Sequence, residues 1–229
     1  MISLESEFFL KVGNMEAYPA ASLIKLPILY ELFNNSKYNL DEKIEITLKD
    51  KVGGFGIIQY LHNNVKLSLR DLAILMIILS DNTATNILID ICGMDNINFT
   101  LKKLGLKDTK LRRKMMDLKS KNMGLDNYTS PYDMIKLLEV LNKNEEIISI
   151  MKKQLCNNKI SHFIEKKIDF AHKTGDLPQI EHDVGIFDIE DKKIIVVVMT
   201  KNFENRDEIE LNNKVGEFIY NFIKEWNEW

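Results

Sequence analysis

The sequence is poor in cysteine, in proline and in long apolar runs, and each shortage removes a class of protein. Only two cysteines occur in 229 residues. Cys92 and Cys156 form no CxxC pair and lie beside no histidine at ligand spacing, so no metal site is expected. Both flank apolar segments, Ile87 to Cys92 and Ile147 to Cys156, and are expected as buried free thiols. The longest apolar run, Ala73 to Leu79, is far too short to span a bilayer. Residues Met1 to Lys11 carry Glu5 and Glu7 and lack the basic start and cleavage site of a signal peptide. The chain is therefore expected to be either cytoplasmic or without its export segment, which leaves the compartment open. Four prolines, Pro19, Pro27, Pro131 and Pro178, each fall near an expected element boundary, and no Pro/Gly/Ser-rich linker or internal repeat divides the chain. A single domain is expected over residues 1–229.

Charge is also short of extremes. With 31 basic and 34 acidic residues the formal net charge is −3. Lys and Glu are interleaved, as on solvated helix faces, and no basic stripe runs along the chain, so nucleic acid is not expected as a partner. At 45% hydrophobic residues the composition is that of an ordinary globular protein.

What is present has a change of character along its length. The middle reads as helical. Leu69 to Leu79 is a dense apolar segment opened by Ser68, and Thr83 to Ile91 resumes the pattern. Ser130-Pro131 is a helix start, an N-cap followed by proline at the first helical position. The last third reads as strands. Val184 to Ile189 and Ile194 to Met199 flank a turn at Glu190 to Lys193, and the second strand is expected to be buried on both faces. Phe170 to Thr174 suits a third strand. Val215, Phe218, Ile219, Phe222, Ile223 and Trp226 recur at helical spacing and predict a terminal helix packing that stripe on the sheet. These readings predict a sheet lobe, about 1–25 and 166–229, beside a mostly helical lobe, about 26–165.

Three short motifs stand in one order. Ser22-Leu23-Ile24-Lys25 comes near the start. Ser80-Asp81-Asn82 follows 58 residues later (80 − 22), and Lys173-Thr174-Gly175 another 93 on (173 − 80). Each alone is cheap, since a second S-x-x-K occurs at Ser149 to Lys152. Singly, Ser22 reads equally as a helix cap, Ser80 to Asn82 as a turn between helices, and Lys173 to Gly175 as a strand end. Together they suit a serine nucleophile activated by a lysine. A serine hydroxyl is a weak nucleophile until a neighbouring base takes its proton, and Lys25 lies on the same helical face as Ser22. It acts as a base only if its pKa falls from about 10.4 toward neutrality, which burial and a second cation such as Lys173 both favour. Pro27, so soon after Ser22, implies a helix that starts late or through a tight 3₁₀ turn.

The stretches Tyr18 to Lys25, Leu79 to Asn86 and His172 to Gly175 resemble those of class A β-lactamases and penicillin-binding proteins. The resemblance covers roughly residues 15 to 226. It implies an α+β fold, an antiparallel sheet flanked by helices with a mostly helical lobe beside it. It implies a serine hydrolase that opens β-lactams or related amides and esters through an acyl-serine, without a cofactor or metal. Ser22, Lys25 and Ser80 are then catalytic, with Ser80 bridging the two lysines. Asn82, Lys173, Thr174 and Gly175 bind substrate, and the backbone N–H groups of Ser22 and Asp176 form the oxyanion hole. His182 reads either as a carboxylate ligand or as structural.

The chain departs from that pattern in one loop. Class A enzymes deacylate with a loop glutamate that activates water, and Leu111 to Pro131 contains none. The expected position falls near Lys114. Asp126 is expected to pair with Arg112 or Arg113, and Asp117 is the remaining carboxylate that could stand in as base. A slow peptidase or esterase, or an acylated sensor, is the alternative this loop favours. Only 21 residues precede Ser22, so the family's first helix and one edge strand are expected to be reduced or absent.

Overall fold

The computed structural model describes residues 2–4, 9–164, 168–189 and 192–226. Two short strands, β1 (Ile2–Leu4) and β2 (Phe9–Leu10), open the chain, followed by β3 (Tyr18–Pro19). A 3₁₀ turn over Ala21–Ile24 then runs into α1 (Lys25–Asn34), which places Pro27 in the first turn where its missing N–H costs nothing. β4 (Lys43–Ile46) and β5 (Val65–Ser68) pair as a small hairpin. Ser68 caps α2 (Leu69–Ile78), accepting from Asp71 N while the Asp71 carboxylate accepts from Ser68 N, the reciprocal arrangement that satisfies two otherwise orphaned donors. Next come α3 (Asn82–Cys92) and α4 (Met94–Lys103). A long loop follows, holding the five-residue α5 (Leu118–Asn122) and β6 (Tyr128–Thr129), which pairs with β3. Helices α6 (Pro131–Leu141), capped by Ser130, and α7 (Glu145–Met151) complete the helical region. The last third is β7 (Asp169–Leu177), β8 (Ile180–Ile189), β9 (Lys192–Val198) and α8 (Asn205–Trp226).

The main sheet is antiparallel in the order β2-β1-β9-β8-β7. Alternation along β9 divides the core. Ile195 and Val197 join a large cluster with the helices, whereas Ile194 and Val196 join a smaller one with Phe187, Ile219 and Ile223 beneath α8. That is the two-faced burial expected for the second hairpin strand. The expected turn residues Glu190 and Asp191 lie outside the described residues, as does the structure around Lys166.

The edge of the sheet is reduced, one of the two outcomes expected: strands β1 and β2 are present but short. Two expectations change. Phe218 and Phe222 point outward, 57% and 37% exposed, while the face of α8 turned to the sheet carries Asn212, Ile219 and Ile223. A helix packed on a twisted sheet buries a narrower arc than the full apolar stripe. Both cysteines are free, but only Cys92 is buried and Cys156 is half-buried.

Candidate active site

The site is assembled where α1, the α2–α3 junction and β7 converge. Ser22 sits in the 3₁₀ turn, and the residue before it, Ala21, takes φ +46°. Ser80, between α2 and α3, takes φ +54°. Non-glycine residues in this left-handed region cost about 1–3 kcal/mol each and persist only where neighbours enforce them. At Ser80 two bonds do so: Asp81 N donates to Leu75 O at 3.1 Å, and Lys25 Nζ donates to Ser80 O at 2.7 Å. Asp81 itself caps α3 through Ala84 N and accepts from Ile57 N and Ile58 N, anchoring the loop before β5.

All three motifs meet at two lysines. Lys25 is fully buried, and its Nζ lies 3.1 Å from Ser22 Oγ, 2.9 Å from Ser80 Oγ and 3.0 Å from Asn82 Oδ1. Lys173, also fully buried, donates to Ser80 Oγ at 3.1 Å and to Thr174 O at 2.9 Å. Ser80 thus bridges the two lysines. Burial, and then the Lys173 charge, hold the Lys25 amine well below its ordinary range. Burial brings Lys173 down to about 8. Asn82 Nδ2 donates to Gly53 O. Among the described residues the buried Thr174 hydroxyl makes no hydrogen bond.

Gly175 lets β7 press against the 3₁₀ turn. A Cβ there would lie 3.2 Å from Ala21 Cβ and 3.4 Å from Ala20 O, tighter than ordinary contact. The result is a cleft of about 540 Å³, whose walls include Ser22, Phe55, Asn82, Met115, Met116 and Asp176.

The loop without a glutamate has a clear anchoring. Asn86, inside α3, accepts from Met115 N and donates to Met115 O, so the Met115 side chain, not that of Lys114, reaches the cleft. Lys114 is paired with Asp90 at the surface. Asn127 accepts from the N–H groups of Arg112 and Arg113, donates to Arg113 O, and its own carbonyl accepts from Ala20 N. Asp126 pairs with Arg113, as expected. Asp117 caps α5 and accepts from Ser120 N and Oγ, and these bonds hold its carboxyl below the usual range. His182 is structural: its Nε2 donates to Pro19 O and its Nδ1 accepts from Thr200 N. Burial holds its pKa near 4, so the ring is neutral.

Sequence reasoning missed Lys159, which is as fully buried as the two motif lysines and reaches the same end of β7. A lone lysine in a loop carries no local signal. Asn86 could have been found, since it closes the stretch that follows Ser80. No group of residues able to hold a metal occurs among the described residues.

The sequence matches the beta-lactamase enzyme family over residues 1–223. The fold is similar to the β-lactamase from Sphaerobacter thermophilus DSM 20745, at 27% identity and TM-score 0.82, covering 91% of this chain and 84% of that one. It is similar to PBP-A at 27% identity and TM-score 0.84, covering 98% and 90%, and equally to a leucine-to-glutamate mutant of PBP-A solved as an acyl-enzyme complex with penicillin-G. The β-lactamase from Chitinophaga pinensis DSM 2588, 18% identical with TM-score 0.85, shares the fold over 96% of this chain and 92% of that one. None of the curated proteins matches.

Proposed function

We propose, from the premise that this chain belongs to the beta-lactamase enzyme family, that it is a serine hydrolase acylated on Ser22 by β-lactams or related amides and esters. The observation that carries the reading is the placement of Ser22 Oγ 3.1 Å from an amine that is fully buried and faces a second buried lysine. A neutral Lys25 takes the Ser22 proton as Oγ bonds to the substrate carbonyl carbon. The backbone N–H groups of Ser22 and Asp176 stabilise the oxyanion. As the C–N bond breaks, Ser80 gives its proton to the leaving nitrogen and is reprotonated from Lys25. Ser80 Oγ accepts from both lysines, which leaves its own hydrogen available for the leaving nitrogen. Lys173 and the free Thr174 hydroxyl bind a substrate carboxylate.

Deacylation is expected to be slow. The loop presents Met115 and Met116 to the cleft, and a thioether cannot activate water. That favours a penicillin-binding peptidase or esterase over an efficient β-lactamase. The test mixes the purified protein with a chromogenic cephalosporin and follows colour and intact mass together. A single-turnover burst with a stable adduct, absent in Ser22→Ala and slowed about 10²–10⁴-fold in Lys25→Ala, is expected. Sustained colour without adduct would make it a β-lactamase by another deacylating route. Normal acylation of Lys25→Ala would remove the assigned base.

A further inference from the structure

Lys159 lies in the segment between α7 and β7, and its ammonium is buried beneath the β7–β8 hairpin. It donates to Asp176 Oδ1 at 2.8 Å, to His182 O at 3.1 Å and to Gly175 O at 3.3 Å, and lies 2.7 Å from Glu181 Oε2. These four residues are two consecutive cross-strand pairs, Gly175 with His182 and Asp176 with Glu181. One ammonium therefore ties both strands together at the end of β7 that borders Ser22. Its segment is itself fixed to the sheet, because Ile160 N donates to Asp183 Oδ2 and Asn157 Oδ1 meets His172 Nε2.

The position matters because of the charge it faces. Asp176 is the first residue after the Lys173-Thr174-Gly175 motif, and its side chain, 29% exposed, stands in the cleft wall. An unpaired carboxylate there would repel a substrate carboxylate seated on Lys173 and Thr174. Burial alone would raise the Asp176 carboxyl, but Lys159, with smaller contributions from Glu181 and Lys173, brings the group below the usual range. Burial raises Glu181, the deeper of the two acids, and of the two only Asp176 stands in the cleft wall.

We propose that Lys159 is a positioning residue that cancels the Asp176 charge and thereby lets the cleft accept carboxylate-bearing ligands. This rests on the substrate site proposed above but not on turnover there. The two are separated by measuring binding in Ser22→Ala, which cannot be acylated, while the adduct assay on the unaltered protein judges the acyl-serine reading alone.

The probes are benzylpenicillin and its uncharged methyl ester, titrated by calorimetry. In Ser22→Ala the acid is expected to bind at least tenfold tighter than the ester. Adding Lys159→Met is expected to erase that preference, and adding Asp176→Asn to Lys159→Met to restore most of it. A loss of affinity that came only from a deformed strand would weaken acid and ester alike and would not be rescued. If Lys159→Met does not fold, Asp176→Asn in Ser22→Ala decides: it is expected to tighten the acid severalfold and leave the ester unmoved. No preference for the acid in Ser22→Ala, the same preference with and without Lys159, or no response to Asp176→Asn overturns the proposal.

Discussion

At the scale of single residues the site is two buried lysines that meet at Ser80 Oγ. Lys25 serves as base only when neutral, and burial together with Lys173 puts its pKa well below the ordinary value. Acylation should therefore rise with pH as Lys25 loses its proton. In its proposed role Lys173 would serve the opposite need, holding a substrate carboxylate only while charged, and its pKa is near 8. Acylation of a carboxylate substrate should then fall above about that pH. The second-order rate constant for adduct formation is expected to trace a bell, and Lys173→Arg to remove its falling limb because guanidinium stays charged. An unchanged alkaline limb in that variant would assign it to another group.

Asp117 tests the other half of the cycle. Both its oxygens are engaged by Ser120, and it is not among the residues of the cleft wall. The lifetime of the Ser22 adduct, followed by mass after removal of free ligand, should be the same in Asp117→Asn. A lifetime lengthened tenfold or more would restore Asp117 as the deacylating base.

At the scale of elements, what the sequence discloses is what local chemistry decides. The Ser68 and Ser130 caps, the late start of α1 and the β7–β9 strands follow from residues adjacent in the chain, and the structure has them. The convergence of the three motifs was legible because three spaced fragments in one order are rare, even though each fragment is common. Lys159 was not legible, because its partners Asp176 and Glu181 lie 17 and 22 positions away and meet it only once the hairpin forms. The anchoring of the 111–129 loop was half legible. Its Arg113–Asp126 pair was expected, while the grip of Asn127 on Arg112, Arg113 and Ala20 depends on the folded path of the loop. Asn127 is buried, so Asn127→Ala leaves two N–H groups and a carbonyl without their partner. Urea denaturation should find that variant less stable by about 1–3 kcal/mol. Its acylation should slow as well, because the loop holds Ala20 beside the nucleophile; full stability would mean the backbone finds other partners.

At the scale of the whole molecule, charge that is interleaved over most of the chain is uneven in one place. Residues 102–121 hold nine basic and two acidic residues, so a chain of net −3 carries +7 there and −10 elsewhere. This segment ends at the cleft, where Arg113 and Lys121 form part of the wall, and begins beside a surface concavity of about 660 Å³ lined by Lys102, Lys107, Lys110 and Arg112. Some of that charge is answered locally, by Asp126 at Arg113 and by Asp90 at Lys114. The remainder is expected to extend a positive field to the cleft proposed above for a substrate carboxylate. Fields of this kind raise the encounter rate and local concentration of an oppositely charged ligand, and they collapse once the Debye length, about 10 Å at 0.1 M salt, becomes shorter than the approach path. Acylation by an anionic β-lactam is accordingly expected to fall about three- to tenfold between low and high ionic strength, while that by its uncharged ester stays nearly level. Lys121→Glu should lower the low-salt rate for the anion and flatten its salt dependence. Equal salt dependence for acid and ester would mean that the segment's charge does not reach the cleft.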